Sequence, residues 1–167
     1  YESGVPVGYI KDETVYEFEI TPNGKEEIQL NLVTINNTRA KANINFTKHL
    51  ETQETFINEQ AYKDVVFGLY ARSDIHDYMG NVAVKYGSLI GTSKIDENGH
   101  LINTYDLPIG SYYFKELKTN EQYVLDPNEY DFVIEYQGEE VKEFTVNINE
   151  GKPIENELIR GKIEILK

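Results

Sequence analysis

Ala42-Asn43-Ile44-Asn45-Phe46-Thr47-Lys48 is the stretch on which the reading of this chain turns. Apolar and polar residues alternate along it, the pattern of a strand with one buried face. Ala42, Ile44 and Phe46 share that face. By the same two-residue period, so does Lys48. A lysine at the end of an apolar row either emerges into water along its alkyl stem or is held in the core for a reason.

Two further strands repeat the anomaly. In Tyr112-Tyr113-Phe114-Lys115-Glu116, the inward set is Tyr112, Phe114 and Glu116. In Ile154-Glu155-Asn156-Glu157-Leu158 it is Ile154, Asn156 and Leu158. An amine, a carboxyl and a carboxamide thus each interrupt an apolar row. Unpaired buried charge is costly, so such groups are expected to find one another. Together they are the components of an amide bond between side chains. Singly, each has an ordinary explanation: a strand-end lysine reaching water, a carboxylate past the end of a strand, a turn asparagine.

Composition narrows the class. The 167 residues suffice for one good core and a remainder. Tyr is abundant, with 13 copies, and together with Val, Ile and Thr favours strands. A formal net charge of −13 argues against nucleic acid and anionic membrane surfaces as partners. Absence of cysteine rules out a disulfide framework and thiolate metal sites. No apolar run has the length of a membrane span, and no signal peptide is visible. Opening at Tyr1 without Met, the chain reads as an excised or processed fragment.

Turn signals recur at short spacing: Asn23-Gly24, Asn98-Gly99, Gln137-Gly138-Glu139 and Asn149-Glu150-Gly151. Between them lie alternating runs at Val15–Ile20, Ile28–Ile35, Ala42–Lys48, Val65–Ala71, Ser111–Glu116, Tyr130–Tyr136, Val141–Ile148, Ile154–Ile159 and Lys162–Leu166. Many short strands at this spacing read as an all-β sandwich or barrel. No long amphipathic helix is evident. The polar segments His49–Lys63 and Arg72–Ser88 are long for sandwich connections, and each has room for a helical turn or an extra hairpin.

The chain also repeats itself. Tyr16-Glu-Phe-Glu-Ile20 echoes Tyr130-Asp-Phe-Val-Ile134, and Ile35-Asn-Asn37 echoes Ile154-Glu-Asn156. Ala42-x-Ile44-x-Phe46-x-Lys48 echoes Gly161-x-Ile163-x-Ile165-x-Lys167. Asn37 precedes Lys48 by the interval that separates Asn156 from Lys167. The implied organisation is residues 1–41 as the C-terminal strands of an incomplete repeat, 42–160 as a complete domain, and 161–167 as the first strand of a following repeat.

These residues resemble the SpaA/Cna B-type repeat of Gram-positive surface adhesins and pilins. Ile44-x-Phe46-x-Lys48 resembles its first strand, and Val66-Phe67-Gly68-Leu69-Tyr70 its second. Asp96-Glu97-Asn98-Gly99, followed by Leu107-Pro108-Ile109-Gly110-Ser111-Tyr112-Tyr113-Phe114-Lys115-Glu116, resembles the family core. Tyr123-Val124-Leu125 and Ile154-x-Asn156 complete the order. The segment Arg72–Ser88 departs from the short family pattern. The resemblance implies an all-β Greek-key β-sandwich of the immunoglobulin-like or transthyretin-like kind. It also implies an autocatalytic isopeptide bond, with Lys48 as nucleophile, Asn156 as electrophile and Glu116 as the catalytic proton shuttle.

Such a bond forms once, so the chain is not expected to be an enzyme acting on an external substrate. Asn37 and Lys167 match the cross-link roles but lack partners here, and both are expected to be unbonded unless the missing halves come from elsewhere. The expected setting is the extracellular, cell-wall-anchored surface of a Gram-positive bacterium. Neighbouring repeats are the expected partners. The competing reading is an adhesin domain that binds a host protein or glycan through long loops such as 72–88. No cofactor is called for. His49, His76 and His100 lack metal-ligand spacing. Asp96-x-Asn98-Gly99 faintly resembles a calcium loop but lacks the closing Glu, so a hairpin turn is expected there.

Overall fold

The computed structural model describes residues 2–18, 24, 34–52, 60–77 and 79–161. The chain forms two compact units, Tyr1–Lys41 with Tyr136–Phe144, and Ala42–Glu135 with Thr145–Lys167. Regular structure among the described residues is β1 (Lys41–Asn45), β2 (Lys48–Leu50), β3 (Val66–Ala71), β4 (Ile75–His76), β5 (Val82–Val84), β6 (Leu89–Lys94), β7 (Gly110–Lys118), β8 (Glu129–Ile134), β9 (Glu143–Asn147) and β10 (Ile154–Asn156), with 3-10 turns at Ala61–Asp64 and Ile148–Gly151. The fold is all-β, as the alternating runs require.

The larger unit is built on an antiparallel sheet in the order β6-β3-β7-β8. Its register sets Phe67 opposite Glu116, Leu69 opposite Phe114 and Ala71 opposite Tyr112. Tyr112 in turn lies opposite Phe132. Side chains alternate faces along a strand, so these residues point the same way, and all are buried. Phe114 and Phe132 stack with centroids 5.4 Å apart. Phe46 meets the edges of Phe67 and Phe114 at 4.9 and 5.4 Å. Geometries of this kind add to plain area burial. The opposite face of β7 is partly covered too: Tyr113 stacks on Tyr70 at 5.0 Å, and the Arg72 guanidinium lies 4.0 Å above the Tyr113 ring.

The stretch Ala42–Lys48 is not one strand. β1 pairs with β9, whereas β2 pairs in parallel with β10, with Lys48 opposite Ile154 and Leu50 opposite Asn156. Phe46 and Thr47 carry the chain from one partner to the other, and the Thr47 carbonyl accepts from the Ile154 N–H at 2.8 Å. The two-residue period survives the switch, because Phe46, Lys48 and Leu50 are all buried.

The long connections carry local structure. Within 72–88, β4 and β5 form an antiparallel hairpin, closed by Asp77, whose Oδ1 accepts from the N–H groups of Met79 and Asn81 at 2.8 and 2.9 Å. Within 49–63 the described part carries the 3-10 turn Ala61–Asp64. Val15–Phe18 lie outside any strand, and most of the expected strand Ile28–Ile35 and all of Lys162–Leu166 fall outside the described residues.

The Asn98-Gly99 hairpin turn fixes the backbone of Lys48. The Lys48 N–H donates to the Gly99 carbonyl at 2.7 Å. Gly99 has φ +84°, and a Cβ there would stand 2.0 Å from the Lys48 carbonyl oxygen. Only glycine meets both demands. Gly99→Ala is therefore expected to destabilise the domain by about 1–3 kcal/mol or more, read as a lower urea midpoint with an unchanged slope.

Candidate functional site

Lys48 on β2, Glu116 on β7 and Asn156 on β10 come together inside the larger unit. All three are buried, with relative exposures of 1%, 2% and 2%. The Lys48 Nζ donates to Asn156 Oδ1. The Asn156 Nδ2 donates to Glu116 Oε1 and Oε2 at 3.1 and 2.9 Å. Lys48 Nζ lies 3.7 Å from Glu116 Oε1. The parallel pairing of β2 with β10 puts Lys48 and Asn156 on one face, and the opposing β7 supplies Glu116 from across the core.

The wall is apolar. Phe67 presents its ring 6.0 Å from Lys48 Nζ, and Leu50 and Ile154 flank the lysine on its own sheet. Burial pushes the Lys48 pKa down from its usual value, against the opposing pull of Glu116 and Asp126. Burial pushes the Glu116 pKa up, although hydrogen bonds from the Asp126 N–H and from Asn156 work against the rise. Both shifts favour the neutral forms, an amine and a carboxylic acid.

Two further residues complete the site and were not read from the sequence. Thr119 Oγ1 accepts a third hydrogen bond from Asn156 Nδ2, at 2.9 Å. Thr119 lies just beyond β7, so strand alternation assigns it no face. The Asp126 N–H donates to Glu116 Oε2 at 2.7 Å. The Asp126 carboxylate holds its own loop, accepting from the Tyr130 hydroxyl and from the Asn128 side-chain amide.

The remaining expected residues lie elsewhere. Asn37 belongs to the smaller unit, where its Nδ2 donates to Glu2 Oε1 at 2.7 Å. Lys167 is outside the described residues. Asp96 closes a turn, its Oδ1 accepting from the N–H groups of Asn98 and His100 at 2.9 and 2.8 Å. His100 Nδ1 lies 3.3 Å from the Phe46 carbonyl oxygen.

The opposite pKa shifts give unlinked chains a distinctive pH response. In an Asn156→Ala chain both Lys48 and Glu116 titrate. The folded-state pKa of Lys48 lies below the unfolded 10.5, so the unfolded chain binds more protons there and stability rises with pH through that window. The folded-state pKa of Glu116 lies above 4.5, so stability falls as pH rises from 4.5 towards the raised value. Urea midpoints of Asn156→Ala against pH should therefore pass through a minimum, and adding Lys48→Met should remove the alkaline rise.

Comparison with known proteins agrees with this architecture. The solved structure of the Bacillus anthracis TIE protein is similar to this chain, with a TM-score of 0.55 and 18% identity over 93% of this chain. The chain spans 24% of that protein's length, and at such identity the likeness concerns fold alone. No curated protein sequence matches the chain. Residues 42–152 match the family described as SpaA, prealbumin-like fold domain. That match covers most of the larger unit and more than half of the sequence, so the chain belongs to the SpaA prealbumin-like domain family.

Proposed function

We propose that the chain is a structural stalk module of a Gram-positive cell-surface adhesin or pilus-like protein, locked by an intramolecular Lys48–Asn156 amide. The observation that carries this reading is the burial of Lys48, Glu116 and Asn156 in mutual contact. In this reading residues 42–160 are one complete repeat, with 1–41 and 161–167 belonging to its neighbours in a longer array.

The chemistry follows from the arrangement. The neutral Lys48 amine adds to Asn156 Cγ. Glu116, next to both nitrogens, takes a proton from the attacking Nζ and gives one to the departing Nδ2. The hydrogen bonds that Glu116 accepts from Asn156 Nδ2 favour its role at the leaving nitrogen. The Cγ–Nδ2 bond breaks, ammonia leaves, and a Cγ–Nζ amide remains. Folding supplies the orientation, which is worth roughly 7–11 kcal/mol of barrier in favourable cases. The reaction runs once per chain.

The product ties two neighbouring parallel strands across 108 residues of sequence. Compared with a disulfide closing a similar loop, the gain in stability is about 4–5 kcal/mol. Pulling force entering through β2 would pass to β10 without stretching the sheet between them. Such a cross-link suits a cysteine-free protein exposed to protease and shear. Among the described residues, no helix is long and apolar enough to cross a membrane.

A second, compatible reading is ligand binding by the 72–88 hairpin. Met79, Val82 and Tyr86 are exposed there, at 70%, 45% and 65%. If the hairpin binds a host protein or glycan, alanine substitutions at these positions should abolish adhesion and leave the cross-link intact.

Intact mass after denaturation tests the main proposal. The native sequence should fall short of its calculated mass by one ammonia, and Glu116→Ala should restore the full mass. A full mass in the native sequence overturns the assignment. Glu116→Gln, which keeps the shape of the side chain, should lose on the order of 4–5 kcal/mol of stability along with the bond.

A further inference from the structure

The two ends of the Asn156 carboxamide meet different partners. Its oxygen accepts from Lys48 Nζ. Its nitrogen carries two hydrogens and has two acceptors within reach. Glu116 presents Oε1 and Oε2 at 3.1 and 2.9 Å, and Thr119 presents Oγ1 at 2.9 Å. Thr119 stands just past the end of β7 and is half-buried, at the margin of a site whose other three side chains are fully enclosed.

The smaller unit indicates what this hydroxyl is not needed for. There Asn37 Nδ2 donates to Glu2 Oε1 at 2.7 Å. The Asp12 N–H donates to Glu2 Oε2 at 2.9 Å, as the Asp126 N–H does to Glu116 Oε2 at 2.7 Å. Asp12 accepts from the Tyr16 hydroxyl at 2.7 Å, as Asp126 accepts from Tyr130. The residue three past Glu2 is Val5, whereas the residue three past Glu116 is Thr119. A carboxamide is thus held against a carboxylate in the same polar frame with a valine at that place in the chain. Pairing the acid with the amide does not explain the threonine.

The leaving nitrogen does explain it. In a planar amide the lone pair of Nδ2 is delocalised into the carbonyl, and its N–H groups are neutral donors. Once the Lys48 amine has added to Cγ, that delocalisation is lost and Nδ2 becomes a basic amine. When Glu116 protonates it, Nδ2 acquires positive charge before the Cγ–Nδ2 bond breaks. A hydrogen bond from a charged nitrogen is roughly twice as strong as one from a neutral nitrogen. The contact to Thr119 Oγ1 therefore strengthens between the resting amide and the departing group, and only interactions of that kind speed a chemical step. One N–H anchored on Thr119 also leaves the new lone pair free to turn towards Glu116.

We propose that Thr119 is a catalytic residue of the Lys48–Asn156 condensation, its Oγ1 stabilising the Asn156 nitrogen as that nitrogen becomes positively charged and departs. The proposal rests on the reading of Lys48, Glu116 and Asn156 given above. The Nζ–Cγ bond forms, Glu116 takes a proton from Nζ and gives one to Nδ2, the Cγ–Nδ2 bond breaks, and ammonia leaves. Thr119 keeps its own proton throughout.

The test follows the reaction in time. The full chain is made by cell-free synthesis, stopped after a short pulse, at a temperature low enough to resolve the native half-time. Aliquots quenched in acidic denaturant are read by intact mass for the loss of one ammonia. Thr119→Val, which keeps the shape but not the oxygen, should slow that loss on the order of tenfold to a hundredfold. Thr119→Ser, which keeps the oxygen, should react close to the native rate. Urea midpoints in a Lys48→Met background, where no amide can form, report whether Thr119→Val disturbs the fold itself, and little change is expected. If Thr119→Val does not fold, Thr119→Ala takes its place with the same expectation. Failure of both to fold makes the hydroxyl a structural group and overturns the proposal. Native-rate reaction of the variant lacking the hydroxyl overturns it too, as does a Thr119→Ser chain as slow as that variant. A native chain that never loses ammonia rejects the Lys48–Asn156 reading itself, whereas one that loses it no faster than the variant without the hydroxyl rejects the role of Thr119 alone.

Discussion

An amine, a carboxyl and a carboxamide enclosed by apolar side chains are satisfied chiefly by one another, with Thr119 and the Asp126 N–H supplying the remaining hydrogen bonds. That constraint organises the larger unit. Each group arrives on a different strand, so β2, β7 and β10 cannot shift register without exposing an apolar face and stranding a polar group. The rings of Phe46, Phe67 and Phe114 exclude the water that would otherwise solvate the lysine. Without them Lys48 would stay protonated and inert. With them, its charged form is the expensive one.

Much of the scaffold can be understood as holding this arrangement. The sheet β6-β3-β7-β8 places Glu116 beneath the lysine through a register in which Phe67 lies opposite it. The Asn98-Gly99 turn holds the Lys48 backbone from the other side. The loop after β7 returns to lay the Asp126 N–H on Glu116, and that loop is kept in shape by its own contacts to Tyr130 and Asn128. Thr119 limits the orientation of the Asn156 amide. These contacts are local and polar, and they surround a site whose three members come from distant parts of the chain.

What the sequence disclosed follows the range of each interaction. Period-two alternation is a property of a single strand, so the inward placement of Lys48, Glu116 and Asn156 was legible from three short runs. The all-β class followed from the same pattern. The break of Ala42–Lys48 into β1 and β2 was not legible, because a change of pairing partner leaves the alternation intact. Thr119 and the Asp126 N–H were hidden for a different reason. One lies past the end of a strand, and the other acts through its backbone, whose aim depends on a loop.

The smaller unit offers an internal comparison for the role of the lysine strand. Both carboxamides donate to a carboxylate, and both carboxylates receive a backbone N–H from an aspartate that also holds a tyrosine hydroxyl. The polar frame is therefore formed by residues around the acid and the amide, and it is present in the smaller unit, where no lysine among the described residues is bonded to Asn37. Glu116 and Ile154 are buried, yet Glu2 is only partly buried and Ile35 is open to solvent. In the larger unit the strand that carries Lys48 also brings Leu50, and Phe46 precedes it, all three buried together. The segment that delivers the amine thus supplies part of the apolar surroundings that favour its neutral form, so the proposed amide would form only once these strands are paired.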